Sequence, residues 1–325
     1  MITVGTALTY TNPVYPHYFA DPFVLRVGDT YYAYGTAPAD EAGREFPVLR
    51  SADLVHWQTV GHALEPTSQA RGHNHWAPEV AEKDGRFYLY YSFAPRDADE
   101  QHRLRVAVAD SPEGPFKDSG AVLFPDAGFT IDASPFRDPQ TGRHYLYFAT
   151  DYTEDEPHGT GLGVAALDDD MISVRELPRM VLRASCSWQV YERNRNYKGR
   201  VWEAWHCVEG PFAVYRDGRY YCLYSGGAWH SENYGVGFAV SDNPLGPWTD
   251  DMAVHGPTVL KGTADVIGPG HNSVVLGPDD RTLYCVYHAW DASRTARRMC
   301  IDPLIWTASG PKCDGPSTRP RTLGT

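Results

Sequence analysis

Three acidic residues stand just ahead of prolines that open short β-like runs: Asp21 directly before Pro22, Asp132 three residues before Pro135, and Glu209 two residues before Pro211. Each alone is an ordinary turn residue. Their shared phase within a repeat sets them apart, because equivalent positions of a repeat reach equivalent places in the fold. Carboxylates held close together push one another's pKa apart, so one can work as an ionised base and another as a neutral acid. Cleaving a glycosidic bond across an oxocarbenium-like transition state needs such a pair. Trp76, two residues before Pro78, and His271, at the start of a fifth unit, occupy the same phase. They would add an aromatic wall and an imidazole, and Phe23 a further apolar surface for a sugar.

The elements that must position these residues are read from five similar segments. Each is a turn followed by an aromatic, β-favouring run, as in Gly85-Arg86-Phe87-Tyr88-Leu89-Tyr90 and Gly218-Arg219-Tyr220-Tyr221-Cys222-Leu223. Their anchor tyrosines are Tyr32, Tyr88, Tyr145, Tyr221 and Tyr284, and Pro22, Pro78, Pro135 and Pro211 lie ten residues or so before the first four. Further strand pairs carry turns such as Ser111-Pro112-Glu113-Gly114-Pro115 and Asn243-Pro244-Leu245-Gly246-Pro247. Four strands per unit in five units predict an all-β, five-bladed β-propeller, a single catalytic domain over residues 1–325. The innermost strand of each blade would line one axial cavity. The stretch Arg193–Arg200 reads as an exposed polar loop, and the acidic runs 96–100 and 153–156 as solvated loops.

A formal net charge of −12 over 325 residues excludes nucleic acid and an anionic membrane as partners. No apolar run is long enough to span a bilayer. Met1–Gly5 lacks the basic and apolar regions of a signal peptide, and Cys222 and Cys285 lie in strand-like runs as core residues. Together these predict a cytoplasmic protein.

Five motifs give the chain a likeness to a known family: Ala20-Asp21-Pro22-Phe23, His75-Trp76-Ala77-Pro78-Glu79-Val80, Ile131-Asp132-Ala133-Ser134-Pro135-Phe136, Val208-Glu209-Gly210-Pro211-Phe212 and Gly270-His271-Asn272. In these and in the terminal run Arg297–Leu304, the sequence resembles glycoside hydrolase family 43. The resemblance implies an inverting mechanism with Asp21 as general base, Glu209 as general acid and Asp132 tuning and orienting the acid. The acid and base carboxyls would stand roughly 6.5–9.5 Å apart, leaving room for the attacking water. It implies that Arg297 contacts the sugar, and that His271 lies on the axis where relatives hold a calcium ion through imidazole and water. No cofactor is required by this chemistry. His75, Trp76, His206, Phe23, His271 and Arg297 are the expected substrate contacts, with His73, Asn74, Trp188 and Trp229 shaping the pocket.

Relatives in this family act mostly on pentosides, so the expected partner is an oligosaccharide or polysaccharide with arabinofuranosyl or xylosyl units. The compact form, without an appended β-sandwich, favours an exo-acting α-L-arabinofuranosidase over a β-xylosidase or an endo-arabinanase. Two rivals differ in class. A retaining propeller enzyme of the sucrose-and-fructan type is suggested superficially by Arg137-Asp138-Pro139, although Asp138 suits the turn before Gly142. A non-catalytic carbohydrate-binding propeller would lose nothing when its acids are neutralised.

Overall fold

A computed structural model describes residues 8–66, 72–251 and 255–324; the Met1–Gly5 stretch lies outside them. Among the described residues the secondary structure is β-strand with two three-residue 3-10 turns, Asp99–Gln101 and Ser187–Gln189. None of them forms a helix long and apolar enough to cross a membrane.

The aromatic runs become the second strands of the five units, Thr30–Thr36, Arg86–Pro95, His144–Tyr152, Arg219–Gly226 and Leu283–Trp290. Each pairs antiparallel with the strand that carries the motif before it: Ala20–Val27, His73–Lys83, Thr130–Arg137, Arg200–Arg216 and Ile267–Leu276. The second strands alternate with apolar side chains on both faces, so their rings fill the space between neighbouring units. Five apolar clusters result, one for each pair of consecutive units and one between the fifth and the first. Tyr34, Tyr90 and Tyr147 are fully buried, and each phenol donates to a carbonyl in a turn of the next unit: Pro112, Met171 and Pro244. The five first strands touch in order, and the fifth touches the first. The ends meet as well, Thr9–Tyr10 pairing with Arg321–Thr322.

Five separate four-stranded sheets were expected; three are four-stranded and one has ten strands. Units 3 and 4 are joined because the first strand of unit 4 is 17 residues long and overshoots its unit. Its early half runs parallel to Gly159–Ala166 at Gly159 and Thr160, and antiparallel to Val190–Tyr197. The polar stretch read as an exposed loop is therefore a hairpin. Arg195 explains why a strand forms there: its guanidinium packs over the rings of Tyr191, Tyr197 and Trp205 at 4.7, 4.4 and 5.4 Å.

Candidate active site

All five first strands break register at the same place, between Ala20 and Phe23, Trp76 and Glu79, Ile131 and Ser134, Glu209 and Phe212, and Gly270 and Ser273. Each break is a bulge with one left-handed residue: Asp21 (φ 51°), Ala77 (47°), Asp132 (57°), Gly210 (53°) and His271 (48°). For the four that are not glycine this conformation costs about 1–3 kcal/mol each, a strain typical of functional positions. Gly210 has a second reason to lack a side chain, since a Cβ there would meet the His271 ring at 3.1 Å. The bulges turn Asp21, Asp132 and His271 inward directly, and leave Trp76 and Glu209 inward-facing one residue earlier.

A cavity of about 340 Å³ opens where the bulges converge. Asp21, Asp132, Glu209, His271, Trp76 and Arg297 all line it. Arg297 donates to Asp21 Oδ1 at 3.2 Å and to the Tyr18 hydroxyl at 2.9 Å, with its guanidinium 4.5 Å from the Trp229 ring. His271 Nδ1 lies 3.4 Å from the same Asp21 oxygen. Burial alone would raise the Asp21 pKa, but Arg297 first and then His271 overcome it and hold the carboxyl well below its ordinary range. His288 Nδ1 also comes within 3.4 Å of Asp21 Oδ1, yet it accepts the Asp21 backbone N–H at 3.1 Å. That nitrogen therefore carries no proton, and burial with the charge of Arg297 pushes the His288 pKa far down. His288 is a neutral support, not an ion-pair partner.

Asp132 is shifted the other way, pushed up to about 7 by burial and then by the charges of Glu209 and Asp21, against the opposing effect of His271. Its Oδ2 accepts the Gly210 N–H at 3.0 Å. His271 gains proton affinity from Asp21, Asp132 and Glu209 despite its burial. Glu209 Oε1 accepts from the Tyr234 hydroxyl at 2.6 Å, and Oε2 lies 3.4 Å from the Cys207 thiol. Burial and then the charge of Glu209 raise the Tyr234 pKa well above its usual value, so it stays a donor.

Phe23, His75 and His206, expected to touch substrate, do not line this cavity. Phe23 follows the bulge, where the strand's parity has changed, and packs between Tyr34 and Phe212. His75 precedes Trp76 by one residue and so faces the opposite way, into Phe46, Tyr91 and Phe93, with Nδ1 3.4 Å from Glu45. His206 is held by the His158 carbonyl. Of the residues expected to shape the pocket, Trp229 lines it; His73, Asn74 and Trp188 do not. His73 stacks on Phe93, and Asn74 donates to Asp99.

The opposite error concerns the walls. Arg195, Tyr191, Tyr197 and Trp205 of the hairpin line the cavity, and so do Asp99 and Glu100 from an acidic run read as solvated. Tyr234, in the plain stretch Glu232–Gly235, carried no sequence signal. Asp138 behaves as a turn residue, accepting from Gln140 N, Thr141 Oγ1 and Tyr220 Oη. Among the described residues no three His, Cys, Asp or Glu side chains converge as metal ligands, and His271 Nδ1 faces Asp21. That donor set does not fit a calcium ion held by protein groups. All six cysteines are free and buried.

The sequence profile of "Glycosyl hydrolases family 43" matches residues 10–311. The chain is 30% identical to the Beta-D-galactofuranosidase xynD of Aspergillus niger, over 92% of this chain and 83% of that protein. It is 29% identical to an extracellular exo-alpha-(1->5)-L-arabinofuranosidase of Streptomyces chartreusis, covering 86% of this chain and 82% of the relative. Among solved structures it superposes on a thermostable family-43 glycoside hydrolase with a TM-score of 0.83 at 32% identity, covering 97% and 98% of the two chains. That second relative is named extracellular, and nothing here supports the cytoplasmic expectation.

Proposed function

The chain belongs to family 43 of the glycosyl hydrolases, and we propose that it is an inverting, exo-acting α-L-arabinofuranosidase that removes terminal arabinofuranosyl units from oligosaccharides. We read its five units as the blades of a β-propeller forming one catalytic domain over residues 1–325. The observation that carries the reading is the single cavity lined by Asp21, Asp132 and Glu209.

In this mechanism Asp21, kept ionised by Arg297 and His271, takes the proton of a water attacking the anomeric carbon. Glu209 gives its proton to the leaving oxygen on the opposite face, which inverts the anomeric configuration. Because Tyr234 donates to Oε1, the transferable proton belongs on Oε2. The negative charge of Glu209 helps raise the Asp132 pKa, so Asp132 keeps its proton more readily beside the acid. Trp76 and Trp229 offer ring surfaces to the C–H faces of the sugar. Exo action is supported by the size of the cavity, at the small end for ligand sites and suited to one or two sugar rings. The strand Val190–Tyr197 adds Tyr191, Arg195 and Tyr197 to its wall.

A second reading, release of β-D-galactofuranose, is favoured by the 30% identity to the Aspergillus enzyme. The two sugars share ring stereochemistry and differ in the arm beyond C4. The test is a panel of nitrophenyl α-L-arabinofuranoside, β-D-galactofuranoside and β-D-xyloside, with the product anomer read by NMR. Preference for the arabinofuranoside with inversion is expected; retention would remove the roles given to Asp21 and Glu209.

A further inference from the structure

A bulge frees one buried backbone N–H, and such a group must find an acceptor. The five bulges solve this by one rule with one exception. In four of them the left-handed residue's N–H is accepted by a side chain on the second strand of the preceding unit. Ala77 N–H goes to Thr36 Oγ1 at 2.8 Å, Asp132 N–H to Ser92 Oγ at 3.0 Å, His271 N–H to Ser225 Oγ at 2.7 Å, and Asp21 N–H to His288 Nδ1 at 3.1 Å. These acceptors occupy one register position, paired across the sheet with Ala20, Trp76, Glu209 and Gly270 in turn.

Unit 3 breaks the rule. The residue in that register position, paired with Ile131, is Ala149, fully buried and without an acceptor. The N–H it would have served belongs to Gly210, which donates instead to Asp132 Oδ2. We infer that Ala149 is a positioning residue by omission: its missing hydroxyl leaves the Gly210 N–H to Asp132, and that bond aims the Asp132 carboxylate at the neighbouring Glu209. The inference rests on the roles given above to Asp132 and Glu209. It assigns them a cause in the fold, since the one gap in the acceptor ring lies between the two units that carry the pair.

The groups facing Asp132 come from every other unit: Asp21, Glu79, Glu209 with Cys207, and His271. The Gly210 N–H is a donor to the charged form and lowers the Asp132 pKa. A competing acceptor would withdraw it, and the Asp132 carboxyl would hold its proton more tightly.

The test is Ala149→Ser, with Ala165→Ser as a control that buries the same hydroxyl in unit 3 away from the cavity. In Ala149→Ser the alkaline limb of the kcat/KM profile should move to higher pH by roughly half a unit or more, and kcat should fall several-fold. Ala165→Ser should keep the wild-type profile. An unmoved limb in a folded Ala149→Ser protein, with kcat of Asp132→Asn still lowered about 10²-fold, would overturn the inference while leaving the roles of the acids intact. Should Ala149→Ser fail to fold, a wild-type crystal structure decides. A direct Gly210 N to Asp132 Oδ2 bond supports the inference, and a water or another group on Gly210 N–H removes it.

Discussion

In units 2 and 3 the same backbone device carries opposite loads. Ala77 and Asp132 both sit at a left-handed bulge position, and both give their N–H to a hydroxyl of the preceding unit. Ala77 carries a methyl group and is no part of the cavity wall, whereas Asp132 carries a carboxyl pushed up to about 7. The strained bulge therefore belongs to the architecture of the ring. Chemistry is added by the side chain it carries, and the electrostatic strain of gathered acids comes with the chemistry.

If that separation is right, the acids can be removed at great loss of rate and little loss of fold. Glu209→Gln should lower kcat by about 10³-fold or more on the arabinofuranoside with the melting temperature changed by only a few degrees, whereas Asp21→Asn, as slow, should also lower the melting temperature because it leaves the buried Arg297 without its carboxylate. A variant that unfolds outright would show that the acids also hold the ring together. Asp132→Asn should lower kcat by about 10²-fold and make the protein more stable above neutrality.

The sign follows from the raised pKa. Between the ordinary carboxyl value and about 7 the folded chain binds the extra proton, so stability falls as pH rises through that window. Asparagine escapes this loss, on the order of a few kcal/mol, so the gain in melting temperature should be larger at pH 8 than at pH 5. Equal gains at both pH values would place the strain elsewhere. The same proton predicts that wild-type kcat/KM declines above about pH 7, measurable as an alkaline limb that Asp132→Asn removes. Arg195→Ala, on the hairpin wall, should raise KM about 10-fold with kcat nearly unchanged. The smallest effect is expected from Ala77→Gly, which relieves a left-handed alanine: stability within about 1 kcal/mol of wild type and an unaltered rate.

Much of the site was legible because repeat phase is a local property. Asp21, Asp132, Glu209 and Trp76 could be set on one wall from their distances to proline, and His271 from its place at the start of the fifth unit. What failed was parity. His75 and Trp76 are adjacent, and only the bulge after Trp76 decides which of them faces the cavity. Phe23 was lost for the same reason, one bulge later in its own strand. The hairpin was hidden because Arg193–Arg200 has no apolar alternation, and its arginine is held by rings whose packing no local pattern announces. Asp99 and Glu100 resemble any solvated acidic run until the neighbouring units bring the cavity to them.

The amino-acid order by itself determined an all-β chain of five units, the acids at their common phase, and the family to which those motifs belong. The first two follow from spacing along the chain, which a strand's period and a turn's chemistry convert directly into position, and the third from the likeness of the motifs themselves. Tertiary structure decided the rest. It joined units 3 and 4 through two residue pairs of parallel pairing, raised the Asp132 pKa to about 7, and left Gly210 without the acceptor every other bulge enjoys. Those outcomes depend on groups between 47 residues (Gly159 and His206) and 139 residues (Asp132 and His271) apart meeting in a low-dielectric space, where one hydroxyl or one buried charge changes the balance.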